Sequence, residues 1–254
     1  MRALPIGLVV LSVLLAHGAA AGEVAALYRA YWAGLPAGEI SLALHDDGAG
    51  YRDEITISTE GLPRFVTRFR GSASSEGRVA APLPAPSYYE ATYDLRKRRD
   101  RRLSMRFTRD GAAAVAERGP GDTSRKPPLA LRYRTGVLDP LSALTAIRAE
   151  LRRGNRGSFT VPVYDGSRRF DVRVRVLPQQ PGERSLRLEL TLAPIAGFKG
   201  ETSDDGDPDD APRPVTLTIS DDRRLMPLMM RVSLYYLPLV VELSRWCDET
   251  PCRQ

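Results

Sequence analysis

Residues that carry out acid-base and nucleophilic chemistry are scarce in this sequence. It has two histidines, of which His17 lies in an apolar N-terminal segment, and two cysteines in 254 residues. The other histidine, His45, lies in the turn-like segment LHDDGAG, and one histidine with two cysteines does not make a usual zinc site. The glycine-rich motifs of nucleotide-binding folds and the serine-centred motif of hydrolases are absent. We therefore predict no catalytic residue, no cofactor and no metal site.

A long apolar run occurs only at the N-terminus. Arg2 precedes the apolar residues 4–16, and Ala19 and Ala21 follow at the two positions that signal peptidase reads. Cleavage after Ala21 leaves a chain that begins at Gly22, and no cysteine follows that could accept a lipid anchor. We predict a signal peptide over residues 1–21, export to the periplasm, and one soluble β-rich domain over residues 22–254.

Lysine is rare, because arginine supplies nearly all of the positive charge. Three lysines stand beside 34 arginines, and the full chain has a net charge of +6. We expect no nucleic-acid partner for an exported protein. The most basic segment separates two alternating runs, so it is predicted to be the solvated tip of a hairpin. The alternative is contact with an anionic surface, through Arg96, Lys97, Arg98, Arg99, Arg101 and Arg102.

Apolar and polar residues alternate in short runs along the chain, with turn residues between the runs. Residues 34–38 are predicted to interrupt the first strands, and residues 71–77 to form a flexible connection. Residues 200–214 are predicted to be a polar loop. The predicted strands are residues 26–33, 39–44, 51–59, 65–70, 89–95, 103–107, 159–164, 168–177, 186–192, 215–219, 226–234 and 239–243.

One helix is predicted in the middle of the chain. Asp139 can cap its N-terminus, Pro140 suits the first helical position, and Gly154 ends it. Leucine and isoleucine side chains recur every three or four residues and should cover a sheet, while Arg148 and the charged residues after it should meet water. The fold class is therefore mainly β: an antiparallel sheet curled into a half-barrel or β-roll, with one covering helix.

The two cysteines lie close together near the C-terminus. In an exported chain a disulfide between Cys247 and Cys252 is the expected state. Because the loop that the bond closes is short, it should pin the C-terminal tail rather than stabilise the whole fold.

The most apolar segment after the signal peptide also lies near the C-terminus. Residues 234–243 are half the ~20 residues that a membrane helix needs, and they contain Pro238 and Glu242. We therefore predict no transmembrane segment in the mature chain. The methionine and tyrosine side chains between residues 226 and 236 are too dense for simple alternation, so they either fill the core or line an apolar pocket. The candidate pocket residues are Met226, Met229, Met230, Tyr235 and Tyr236.

Several motifs in a fixed order resemble one known family. They are YWAGLPAGEISL after the signal peptide, the capped LDPLSALTAIR, then VYDGSRRFDVRV, LAPIAGF and ISDDRRLMPLMMRV. The chain resembles the exported bacterial domain-of-unknown-function family 3108 over most of its mature length. The resemblance implies a periplasmic β-roll-like domain and assigns no activity. The acidic residues 201–210 and the cysteine tail depart from that pattern.

Three classes of function remain open. The first is a non-enzymatic binding or carrier module for an amphipathic cell-envelope molecule, such as a lipid or a lipid-linked glycan. The second is a structural or assembly factor that binds another envelope protein through a sheet edge. The third is a hydrolase that uses carboxylates alone. The first is our prediction, because of the Met- and Tyr-rich segment and the basic hairpin tip.

Overall fold

The structure is a computed structural model that describes residues 22–60, 69–95, 98–118, 128–198, 214–234 and 237–247. Within these ranges it contains thirteen strands and one α-helix, α1 (Pro140–Arg152). A short 3-10 helix, Leu131–Tyr133, precedes α1. No helix in the described ranges is long and apolar enough to cross a membrane. The strands are β1 (Gly22–Trp32), β2 (Leu35–Asp46), β3 (Gly50–Thr59), β4 (Arg70–Arg78), β5 (Ala85–Leu95), β6 (Arg98–Phe107), β7 (Ala113–Arg118), β8 (Ser158–Tyr164), β9 (Arg169–Val176), β10 (Ser185–Ala196), β11 (Pro214–Ser220), β12 (Pro227–Leu234) and β13 (Leu237–Cys247).

All thirteen strands form one antiparallel sheet, and the first and last strands of the chain lie side by side in its middle. The order is β7-β6-β5-β4-β3-β2-β1-β13-β12-β11-β10-β9-β8, so β1 pairs with both β2 and β13. The two outer strands, β7 and β8, are bridged by the segment before the helix. Ala113 of β7 donates its N–H to the carbonyl of Arg134, at 2.7 Å, and Leu138 donates its N–H to the carbonyl of Pro162 in β8, at 2.9 Å. The sheet is therefore curled around an interior, as the sequence predicts.

Helix α1 lies inside this curl. Asp139 accepts hydrogen bonds from the N–H groups of Leu141 and Ser142, at 3.0 and 2.9 Å, so the predicted cap is confirmed. Three apolar clusters surround the helix: Ile147 packs toward β8–β11, Leu141 toward β5 and β6, and Leu144 toward β1 and β2. The helix is thus a central element rather than a lid on the outside of the sheet.

One side of the helix packs against β3 and β4 through polar groups. The second oxygen of Asp139 accepts hydrogen bonds from Ser75, at 3.0 Å, and from Ser142. Ser142 also bonds to Ser75 at 2.8 Å and to the hydroxyl of Tyr51 at 2.6 Å. One turn further along α1, Thr145 donates to Asp53 of β3. These residues are all buried, so a line of hydrogen bonds fixes the helix against two neighbouring strands.

Arg148 corrects the sequence interpretation. It was expected on the water-facing side of the helix, but its side chain is only 2% exposed. Its guanidinium donates to the carbonyl of Arg224 at 2.8 Å, and burial lowers its pKa to about 10, so that it stays charged at neutral pH. The curled sheet surrounds α1 on every side, which leaves Arg152 and Arg153 at the C-terminus as its charged, solvent-accessible end.

The strand boundaries bring further corrections. Residues 71–77, expected to be a flexible connection, form most of β4. Residues 34–38 hardly interrupt the sheet, because Ala33 and Gly34 make a tight turn with positive φ angles of 51° and 81° and β2 begins at Leu35. The basic segment is mostly strand rather than tip, since β6 begins at Arg98. Strand β7 was not predicted.

The buried carboxyl of Asp53 should make the stability of the protein depend on pH. Burial raises the pKa of Asp53 to about 6 from 3.8, and within the described chain its Oδ1 has no hydrogen-bond partner. The folded form therefore binds the proton more tightly than the unfolded form. The stabilisation that this tighter proton binding gives is complete below pH 3.8 and is lost as the pH rises through about 6.

We expect Asp53→Asn to remove this loss, because the amide cannot ionise and its oxygen can still accept the hydrogen bond from Thr145. Between pH 5 and pH 7.5, the free energy of unfolding should fall by about 1 kcal/mol more in the wild type than in the variant. Urea unfolding at the two pH values measures this difference. Asp110→Asn, at an exposed site, is the control and should leave the wild-type difference unchanged. An equal pH dependence in wild type and Asp53→Asn would contradict the assignment.

Candidate functional site

The interior of the curled sheet has a filled end and an open end. The filled end is marked by the turns after β2, β4 and β11, which the helix contacts. Arg152 pairs there with Asp46 at 2.6 Å, and Arg153 donates to the carbonyl of Pro82 at 2.8 Å. The opposite strand ends include the β1–β2 turn and the start of β13. We call the filled end the helix end and the opposite end the open end.

Inward-facing side chains lose burial from the helix end to the open end. The cross-strand row next to the helix is buried in full: Leu44, Asp53, Ser75, Tyr89 and Met105 are each at most 6% exposed. Two residues further along each strand, Leu42 is buried but its row partners on β3–β6 are only half-buried. In the third row every residue is half-buried: Ile40, Ile57, Gly71, Tyr93 and Arg101.

Strands β10 and β11 repeat this gradient, whereas Val161 and Val163 of β8 stay buried toward the open end, at 0% and 1% exposure. Along β10, the inward side chains of Leu188, Leu190 and Leu192 are 0%, 9% and 36% exposed. On β11 burial decreases from the fully buried Ile219 to the half-buried Val215. The helix accounts for the difference, because the apolar clusters around it include Val163 of β8 but neither Ile57 of β3 nor Leu192 of β10. Inward-facing apolar side chains of β2, β3, β10 and β11 are therefore partly accessible at the open end.

An aromatic and cationic group belongs to this surface. The rings of Phe69 and Tyr93 have centroids 6.5 Å apart, and the guanidinium of Arg101 lies 5.8 Å from the centre of the Tyr93 ring. Arg101 faces the interior because it alternates with the inward-facing Leu103 and Met105 on β6. The apolar surface thus carries a positive charge at its rim, a combination that suits ligands with both an apolar and an acidic part.

A second depression lies on the outer face of β3–β5 and has a volume of about 360 Å³. It exists because Ser72 and Ser74 of β4 are shorter than the side chains beside them. Its walls hold the ion pair of Arg52 with Glu54, at 2.9 Å, and Glu90, which pairs with Arg102 at 3.4 Å. The depression is polar, and none of the predicted pocket residues lines it.

The predicted pocket residues lie in different environments. Met226 is fully buried in the cluster beside β1 and β2, and Met229 points to the outer surface with 37% exposure. Met230 faces the interior, is half-buried and packs against two of the apolar clusters. Tyr235 and Tyr236 lie outside the described residues. Whether any of them binds a ligand stays a prediction.

The other predicted sites are also only partly described. Arg96 and Lys97 lie outside the described residues, and Arg102 is exposed on the outer face. His45 is exposed near the end of β2. Cys252 and the signal peptide lie outside the described ranges, so the disulfide and the cleavage site stay predictions. In the described part of the chain no cluster of three metal-ligating side chains occurs.

The sequence interpretation missed the inward-facing residues of β2–β6. Ile40, Ile57 and Tyr93 look like ordinary core positions, since they alternate with polar residues in the same way as the fully buried residues do. The available signal was the pair of small residues Gly71 and Ala73 on β4. The ring of Phe69 covers Gly71, whereas Ala73 is too small to fill the space above it. Those residues were instead interpreted as part of a flexible connection.

Comparisons with known proteins agree with this fold. The family model "Protein of unknown function (DUF3108)" matches residues 27–244. No curated protein matches the sequence. Among solved structures, the crystal structure of a beta-barrel-like protein of domain of unknown function DUF1849 from Brucella abortus is similar, with a TM-score of 0.55 and 12% identity. The match covers 88% of this chain and 96% of that one, and at this identity it supports the fold alone. With most of its length matched by the family model, the chain belongs to the DUF3108 family.

Proposed function

We propose that the protein is a non-enzymatic binding module that holds an amphipathic molecule in the open end of its curled sheet. The observation that carries this proposal is the loss of burial along the inward-facing rows. A protein interior is normally packed to the density of an organic crystal, so inward-facing apolar side chains that stay accessible mark a place for another molecule.

The chemistry of the surface favours a ligand with an apolar chain and an acidic group. Ile40, Ile57 and Leu192 provide apolar contacts for a chain. Arg101 provides a positive charge at the rim, and Tyr93 can contact either part of the ligand. Methionine at position 230 is unbranched and can adapt to chains of different shape. A cell-envelope lipid or lipid-linked glycan has this chemistry.

Two alternatives are supported less well. An assembly factor that pairs through a sheet edge needs a free edge. Residues 134–138 already form hydrogen bonds with part of both edge strands, β7 and β8. A carboxylate hydrolase needs accessible acids, and the carboxyls with raised pKa values, Asp53 and Asp139, are buried and bonded to the helix. A binding module requires neither feature.

Filling the open end should weaken ligand binding. Ile57→Trp adds a ring to the accessible interior, whereas Thr56→Trp adds the same ring to the outer face of the same strand. We expect a dansyl-labelled fatty acid to bind the wild type with a saturable rise in fluorescence. Since displacing two methylene contacts costs about 1.6 kcal/mol, Ile57→Trp should weaken binding by about tenfold or more, while Thr56→Trp should bind as the wild type does.

Thermal unfolding of both variants checks that they remain folded. Equal affinity in the two tryptophan variants would contradict a ligand site in the interior. Absence of saturable binding to the wild type, together with no lipid in organic extracts of the purified protein, would contradict the proposed function itself.

We also propose that the protein works in the periplasm, from the N-terminal sequence alone. Expression of the full chain in a Gram-negative host should give a periplasmic form whose intact mass corresponds to a start at Gly22. The double variant Ala19→Arg with Ala21→Arg should not be cleaved, because signal peptidase accepts small residues at these positions. A periplasmic product of the wild-type chain that retains Met1 would contradict cleavage after Ala21.

A further inference from the structure

An apolar turn and the apolar start of a strand meet at the open end of the sheet. The β1–β2 turn and the start of β13 are joined by a hydrogen bond from the N–H of Ala33 to the carbonyl of Pro238, at 2.9 Å. Next to this bond, Leu35 is 50% exposed and Leu237 is 41% exposed. Each is followed by an exposed proline, Pro36 and Pro238. We call Ala33–Pro36 together with Leu237–Pro238 the apolar tip.

The composition of this tip is unusual for hairpin turns. Turn residues are normally glycine, asparagine, aspartate or serine, which satisfy the backbone and interact with water. Here residues 30–38 and 232–241 contain no charged side chain, and leucine followed by proline stands in both. Other exposed apolar side chains lie at the same end of the sheet. On β10, Leu192 and Ile195 are 36% and 41% exposed at the same end, so half of the eight large exposed apolar residues in the described chain lie there.

Aromatic side chains stand directly behind the tip. Trp32 precedes the turn and is half-buried, as is Tyr31. Tryptophan and tyrosine combine an apolar ring with a polar group, and they are enriched where a protein meets the boundary between lipid headgroups and acyl chains. A turn that carries exposed leucines backed by such aromatics resembles the apolar face of an interfacial segment.

Positive charge is present at the same end. Strand β6 begins there at Arg98. Arg101 follows on the inner face, and Arg102 on the outer face pairs with Glu90. An apolar group with basic neighbours binds membranes by two contributions, burial of apolar surface and attraction to anionic headgroups. Neither contribution alone distinguishes a membrane from a protein partner, but both together favour an anionic lipid surface.

We propose that the apolar tip inserts into the surface of a bilayer that contains anionic phospholipid. In this orientation the open end of the sheet faces the membrane. The inference goes beyond the proposed function, because a tip that binds membranes needs no ligand inside the sheet. If both hold, an amphipathic molecule can pass between the bilayer and the interior without crossing water.

Vesicle flotation tests the proposal with matched variants. The double variant Leu35→Asp with Leu237→Asp places two charges on the tip. The control, Val79→Asp, places one charge on a residue that is 40% exposed near the helix end. We expect the wild type and Val79→Asp to float with vesicles of phosphatidylcholine and phosphatidylglycerol, and to float less with phosphatidylcholine alone. The double variant should lose vesicle binding by about tenfold or more, because two apolar side chains can no longer be buried.

Binding of the dansyl-labelled fatty acid, measured in the same variants without vesicles, separates the two proposals. The double variant should keep wild-type affinity for the fatty acid, which also shows that it is folded. Wild-type flotation of the double variant, or no flotation of the wild type with phosphatidylglycerol, would overturn the membrane proposal and leave the ligand site untouched. A dimer of the wild type that the double variant breaks, without vesicle binding, would instead make the tip an interface between two copies and equally overturn it.

Discussion

The carboxylate of Asp139 is the group on which the arrangement of this protein depends most. It is fully buried and accepts four hydrogen bonds, from the N–H groups of Leu141 and Ser142 and from the hydroxyls of Ser142 and Ser75. Two of these bonds start the helix and one ties it to β4. A single side chain therefore both defines where α1 begins and fixes the helix against the sheet. Because a buried carboxylate without partners would be costly, the helix has little freedom to dock elsewhere.

The position of the helix divides the interior. The thirteen strands enclose more inward-facing positions than one helix of 13 residues can cover, and the polar contacts to β3 and β4 hold the helix at one end. On β2–β6 the rows beside it are filled, whereas the rows beyond it are partly accessible to solvent. The same line of contacts thus stabilises the fold and leaves room for a ligand. The cost is the burial of Asp53 and Arg148, whose pKa values shift because water is excluded around them.

The sequence was sufficient to predict the elements whose signals are local. Asp139 followed by Pro140 and a final Gly154 predicted the helix correctly, and the alternating runs predicted most strands and the mainly β fold. It was not sufficient where the partner of a residue is distant. Residues 71–77 contain glycine, alanine and three serines, which indicate a flexible connection in isolation. They form β4 because Ser75 meets the polar side of the helix and because neighbouring strands supply the backbone hydrogen bonds.

The candidate site shows the same limit. Leu44 and Ile57 are both apolar residues at alternating positions of adjacent strands, and nothing in the sequence distinguishes them. Their difference in burial follows from where the helix lies along the strands. The Met- and Tyr-rich segment is conspicuous for its density, yet its three methionines divide between the core, the outer surface and the interior once the register of β11–β13 is known.

Accessibility of single cysteines would test most directly whether the interior has one filled and one open end. Leu44→Cys and Ile57→Cys can each be introduced into a chain in which Cys247 and Cys252 are serine, and the rate of labelling by an uncharged maleimide can be measured in the folded protein. The account predicts that the cysteine at position 57 is labelled much faster than the cysteine at position 44, which is strongly protected. Equal protection of the two positions would mean that the interior is filled throughout and would contradict the account.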